Sequence, residues 1–268
     1  MPKKYLILTL LILVITTQFS LADSVTFKSS SKGKDGNPLL LTGVLTKPEG
    51  SGPFPAVVFL HGWCVHEFGK PRSASWSSRL VDWGYATLQL DSFGPRNVSN
   101  DCSDKTELFS LSLARVQDAY DAKDFLAELP YIDRNRIALL GWSHGGHASL
   151  YVLLKQIKPQ SKETPFKAGI VFYPYCDMPL YNLNAPLLIL IGESDDWTLA
   201  KECSEMMPSE QPDLEITLKI YPGAYHDFDW EGMDQEIEVF GGHRMLYDPI
   251  AAKDSIIQVK SFLAKHLK

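Results

Sequence analysis

The chain has 268 residues, a formal net charge of −6 at pH 7, and 45% hydrophobic, 22% charged and 11% aromatic residues. That balance excludes a disordered or fibrous polypeptide and can fill one sizeable core. The acidic excess argues against nucleic acid as a partner. Its 18 glycines and 17 prolines are scattered, with no fixed-period repeat and no low-complexity tract.

In chain order, residues 1–22 read as a secretory signal peptide. Residues 1–4 make a short basic start and 5–15 an apolar run, and Ser20-Leu21-Ala22 puts small residues where a cut before Asp23 needs them. Thr16, Thr17 and Gln18 interrupt the run short of the roughly 20 apolar residues that span a bilayer, which favours cleavage over a retained anchor. The expectation is an exported domain over 23–268, periplasmic or secreted, with no stable membrane association after cleavage.

Within that domain, 25–28 and 39–45 read as early strands, followed by apolar strand-like runs at 56–60, 85–90, 137–140, 168–172, 187–191 and 214–220. Runs this rich in Val, Ile and Leu suit strands buried on both faces. Helices are expected at 76–83, at 145–157, at 199–207 and at 251–267. A longer one is carried by Leu113, Val116, Ala119, Ala122, Leu126 and Leu129 and stops at Pro130. Repeated βα units predict an α/β fold with a mostly parallel sheet covered on both faces. Chemistry in such sheets gathers at the carboxyl ends of the strands.

Gly141-Trp142-Ser143-His144-Gly145-Gly146 follows the strand at 137–140 and opens a helix, which makes Ser143 the candidate on a nucleophile elbow. A serine hydroxyl needs a base within hydrogen-bond reach, and the base needs a carboxylate to hold its ring. Asp195 follows the strand at 187–191 and His226 the strand at 214–220, so three strand ends carry Ser, Asp and His in α/β-hydrolase order. Asp196 and Asp177 are alternative acids, and Asp227 reads as a solvated or structural neighbour of the base. His144 and His147, three apart, have no third ligand in step with them and suit packing or helix-end roles rather than metal.

A tetrahedral oxyanion needs preplaced donors worth about 3 kcal/mol each. The backbone N–H of His144, at a helix start, is one candidate, and that of Trp63, in the loop His61-Gly62-Trp63-Cys64, is the other. The imidazole of His61 reads as structural. Cys64, Cys102, Cys176 and Cys203 lack CxxC spacing and would pair after export. Three connectivities are open, and sequence alone does not choose. The expectation is Cys64 with Cys102 and Cys176 with Cys203, each joining neighbouring loops; four buried free thiols are the alternative.

The segments 55–64, 91–96, 141–146, 192–198 and 221–228 resemble the dienelactone hydrolase family of α/β-hydrolases, across most of the domain. The resemblance implies an α/β-hydrolase fold with an eight-stranded sheet and no large lid domain. It also implies hydrolysis of an ester or lactone through an acyl-enzyme, with Ser143, Asp195 and His226 as nucleophile, acid and base. The family's founding enzymes use a cysteine poised by a glutamate, where this chain has Ser143 and Gly62-Trp63, so a general carboxylesterase is the closer expectation. No cofactor or metal is required.

Arg96 could hold a substrate carboxylate bidentately or brace its own turn. Trp63, Trp142, Phe93, Tyr175, Trp197 and Trp230 are candidates for an aromatic cleft. The stretch 230–249, containing Gly241-Gly242, is long for a connection and reads as a flap, a surface insertion or an oligomer contact. Asn97-Val98-Ser99 matches a glycosylation acceptor. The rival functions are a small serine peptidase of prolyl-oligopeptidase type and a non-catalytic exported binding protein.

Overall fold

The computed structural model describes residues 22–33, 36–63, 71–98, 106–157, 159–161, 164–208, 214–233, 237–239 and 242–267. The expected signal peptide, Ala22 excepted, lies outside them, as do Cys64, Cys102, Gly241 and Ser99 of the glycosylation acceptor.

Eight strands form one sheet: β1 (Ala22–Lys32), β2 (Pro38–Thr46), β3 (Phe54–Leu60), β4 (Ala86–Asp91), β5 (Ile132–Trp142), β6 (Gly169–Phe172), β7 (Leu187–Gly192) and β8 (Ile216–Tyr221). Their order is β1-β2-β4-β3-β5-β6-β7-β8. The β1–β2 and β2–β4 pairs are antiparallel and every later pair is parallel. The interior strands are the most apolar: every residue of β6 and β7, and the stretch 56–60 of β3, is buried. Strand β8, at the edge, is only half-buried over most of its length.

Among the described residues, five α-helices pack with the sheet: α1 (Pro71–Asp82), α2 (Thr106–Ala127), α3 (His144–Val152), α4 (Ala200–Met206) and α5 (Pro249–His266). The start of α5 is written into its sequence. Asp248 accepts hydrogen bonds from the Ile250 and Ala251 amides at 2.9 Å each, and Pro249 fills the first turn, where no amide hydrogen is needed.

Helix α3 ends at Val152, short of the expected 157, because tertiary pairing captures the chain. Leu154 bridges Leu183, Lys155 N donates to Asn182 O, and Asn184 N donates to Leu153 O. The stretch 230–249 carries an unexpected hairpin, β9 (Ile237–Val239) with β10 (His243–Met245).

Register aligns the carboxyl ends of the parallel strands. Leu60 of β3 lies beside Gly141 of β5, Trp142 beside Phe172 of β6, Phe172 beside Leu190 of β7, and Gly192 beside Tyr221 of β8. The segments that follow these strands therefore emerge on one edge.

Candidate active site

The chain turns from β5 into α3 at Ser143, whose φ of 49° and ψ of −116° lie outside the regions an L-residue prefers. The turn is held by Ser143 N donating to Phe172 O at 3.0 Å and His147 N donating to Ser143 O at 2.9 Å. The flanking glycines are steric necessities. A Cβ on Gly141 would strike the Gly145 carbonyl and Ser149 Oγ, and one on Gly145 would strike the Leu60 and His61 carbonyls. Only without those carbons can α3 sit against the end of β3.

The three sequence-predicted side chains converge. Ser143 Oγ lies 3.1 Å from His226 Nε2, and His226 Nδ1 lies 2.7 Å from Asp195 Oδ2. Both partners of the second bond are buried. The carboxylate is itself fixed: Asp195 Oδ1 accepts from the Trp197 and Thr198 amides at 3.0 and 2.8 Å, and Thr198 Oγ1 lies 2.9 Å from Oδ2. Because Asp195 accepts only, Nδ1 carries the hydrogen and Nε2 turns its lone pair to the serine. Burial opposes a charge on His226, but the adjacent Asp195 carboxylate, its hydrogen bond and the charge of Asp227 outweigh burial and Arg72, and raise the imidazole's pKa above the ordinary histidine value.

The alternative acids have other partners. Asp196 is exposed and accepts from Arg244 N at 3.0 Å. Asp177 meets His147 Nε2 at 3.1 Å. Asp227, expected to be a solvated or structural neighbour, is buried at φ 60° and pairs with Arg72 at 2.8 Å.

His144 and His147 belong to a buried polar chain. Arg115 NH1 lies 2.6 Å from His144 Nδ1, His144 Nε2 lies 3.1 Å from Ser112 Oγ, and Ser112 Oγ lies 2.9 Å from His147 Nδ1. Guanidinium only donates, so His144 carries its hydrogen on Nε2, and the donors run in one direction through Ser112 and His147 to Asp177. Arg115 NH2 also donates to the His61 carbonyl at 2.6 Å. The loop after β3 is thereby tied to the helix behind the elbow. His61 donates from Nδ1 to Gly62 O at 2.7 Å and accepts from Ser92 N at 3.4 Å. Burial and then the Arg115 charge hold its pKa down to about 3, against the bond to Gly62, so the ring is neutral. Trp63 is buried against His144, ring centroids 5.2 Å apart, which brings together the two segments expected to supply oxyanion donors.

The aromatic candidates divide. Trp197 is half-buried against His226, ring centroids 5.2 Å apart, and Tyr175 is exposed beside His147. Phe93 packs with Trp63 and under the Arg115 guanidinium. Trp142 is not a wall residue: it is buried between Phe59 and Phe172, and its indole N–H donates to Asp229 at 3.0 Å. Trp230 lies over Arg72 and lines a separate cavity of about 460 Å³. Arg96 braces its turn, with both terminal guanidinium nitrogens on Asp118 at 2.7 Å and NH1 also on Ser92 O at 2.8 Å.

Sequence reading missed Tyr173, Thr198 and Arg72. Tyr173, at φ 36°, packs its ring on His226 with centroids 4.5 Å apart. Thr198 Oγ1 lies 3.2 Å from its carbonyl. A disulfide between Cys176 and Cys203 joins the segment after β6 to α4, as expected for that pair. The hairpin is laced to the loops of both partners, with His243 stacked on Trp197 beside Asp195 at 5.3 Å and Arg244 NH1 donating to Tyr225 Oη beside His226 at 3.1 Å.

The dienelactone hydrolase family model matches residues 41–267. The protein usf of Aquifex pyrophilus is 22% identical over 236 residues, covering 86% of this chain and 96% of its own. A dienelactone hydrolase from Anabaena variabilis superposes with a TM-score of 0.65 at 19% identity, covering 93% of this chain and 99% of that one. Porphyromonas gingivalis dipeptidyl peptidase 4 superposes with a TM-score of 0.64 at 19% identity over 93% of this chain, but only 36% of the peptidase is matched. The fold is therefore shared with larger peptidases, whereas the family match spans nearly all of the sheet and every strand end described above; the chain belongs to the dienelactone hydrolase family of hydrolases.

Proposed function

We propose that the protein is an exported serine hydrolase that cleaves a small-molecule carboxylic ester or lactone through an acyl-enzyme. The observation that carries this reading is the unbroken Ser143–His226–Asp195 hydrogen-bond line at 3.1 and 2.7 Å. His226 Nε2 takes the Ser143 proton as Oγ attacks the ester carbonyl, forming a tetrahedral oxyanion against the His144 and Trp63 amides. The oxyanion collapses, the alcohol leaves with the proton from His226, and the acyl group stays on Oγ. Water, deprotonated by His226, then attacks the acyl carbon and frees the acid.

Export rests on the N-terminal pattern and on Cys176–Cys203. Cleavage before Asp23 would leave β1 its pairing with β2 from Asp23↔Leu45 onward. Among the described residues, no helix is long and apolar enough to cross a membrane.

Parallel assays on aryl esters, lactones and peptide amides test the reaction class. Ester or lactone turnover with no amide cleavage is the expected result; preferential amide cleavage would move the assignment to a peptidase. Failure of Ser143 to react with a fluorophosphonate probe would favour a non-catalytic scaffold.

The role of His226 as base fixes the sign of the pH dependence, and its raised pKa where the limb lies. The base works unprotonated, so kcat/KM should fall as pH drops through its folded pKa, and that acid limb should lie above the ordinary histidine value of about 6.5. An acid limb below that value in a pH–rate profile would show that the Asp195 carboxylate does not outweigh burial at His226.

A further inference from the structure

The histidine loop is tied from below by a carboxylate that touches no reacting atom. Asp229 Oδ2 accepts from the indole N–H of Trp142 at 3.0 Å and from that of Trp76 at 2.9 Å, while Oδ1 accepts from the Tyr173 hydroxyl at 2.6 Å. These donors come from three separate elements. Trp142 immediately precedes the nucleophile, Tyr173 packs on the base, and Trp76 belongs to α1. Arg72, one turn earlier on α1, donates to the same tyrosine oxygen at 2.5 Å and pairs with Asp227.

We propose that Asp229 is a positioning residue for hydrolysis, holding the His226 loop against the Ser143 elbow so that Nε2 and Oγ stay within hydrogen-bond distance. The inference rests on the serine-hydrolase reading above. Asp229 is three residues from His226, and its donors are one residue from Ser143 and in ring contact with His226, so this carboxylate joins the two halves of the proton-transfer pair. On the other side it borders the cavity of about 460 Å³, whose lining also includes Arg72, Trp76 and Trp230. Without the carboxylate the loop has room to relax that way, and the two indoles and the phenol each lose an acceptor.

The test compares Asp229→Ala with Asp229→Asn. The amide oxygen of asparagine can still accept from both indoles, and its NH₂ can donate to the tyrosine oxygen. Asp229→Ala is expected to lower kcat on an aryl ester about 100-fold with KM little changed, as misplacement of about 1 Å does. Its crystal structure is expected to show the Nε2–Oγ separation opened beyond about 3.5 Å. Asp229→Asn is expected to recover most of the rate.

A folded Asp229→Ala protein with wild-type kcat, one whose serine–histidine contact is intact, or an asparagine variant no better than alanine would overturn the proposal. Should Asp229→Ala not fold, Tyr173→Phe deletes one donor and keeps the ring, and wild-type kcat in that variant would overturn it equally. If the wild-type protein itself cleaves no ester, the serine-hydrolase reading fails, and the crystallographic separation alone decides the role of Asp229.

Discussion

Ser143→Ala is expected to lower turnover of a simple aryl ester by about 10⁶-fold, the scale on which loss of a serine nucleophile acts in a triad. Oγ is the atom that becomes acylated, so its removal leaves only the slow attack of water on an ester bound near the oxyanion donors. The fold should survive. The hydroxyl's contact in the site is with His226, and the strained backbone at φ 49° is held by bonds to Phe172 and His147 that alanine keeps. Turnover and fluorophosphonate labelling, measured beside near-ultraviolet circular dichroism, check this; an ordered variant retaining a substantial share of the activity would remove Ser143 from the mechanism.

Asp195→Asn should cost about 10⁴-fold in kcat, and the reason lies in hydrogen positions rather than in charge alone. The two amides of Trp197 and Thr198 demand an acceptor at the Oδ1 position, so the new side chain should keep its oxygen there. Its NH₂ then faces His226 Nδ1. A donor facing Nδ1 selects the tautomer with hydrogen on Nε2, which points at Ser143 and cannot take the serine proton. Asp177→Asn, in contrast, alters the far end of the His147 chain and should leave turnover near that of the wild type. If the Asp177 variant lost activity and the Asp195 variant kept it, the acid would have been assigned to the wrong loop.

Much of the fold is legible because the interior strands are nearly continuous runs of Val, Ile and Leu, and a strand buried on both faces allows little else. The elbow is legible because glycine is the only residue that fits beside Leu60 and His61. The acid and base are legible through their order and their places after strands. What was not legible depends on convergence from afar. Nothing local to Trp142 says that its indole N–H meets a carboxylate 87 positions away, so a residue that reads as a cleft wall lies beneath the elbow instead. Arg96 reads equally well as a substrate anchor until Asp118 of α2 is seen to occupy both of its terminal guanidinium nitrogens. Helix α3 keeps its apolar pattern past Val152, but backbone pairing with Asn182 and Asn184 ends it. The hairpin at 237–245 has strands of three residues each, too short for an alternation pattern to register.

The covalent link between Cys176 and Cys203 closes a 27-residue span that starts three residues after Tyr173 and runs through β7, past Asp195 and into α4. By the chain-entropy estimate, a span of that length contributes about 3 kcal/mol to the folded state. The host compartment chosen for production therefore matters to more than yield. Material made in a reducing cytosol would carry the same three reactive side chains in a looser frame, and its specific activity would understate that of protein folded where thiols are oxidised.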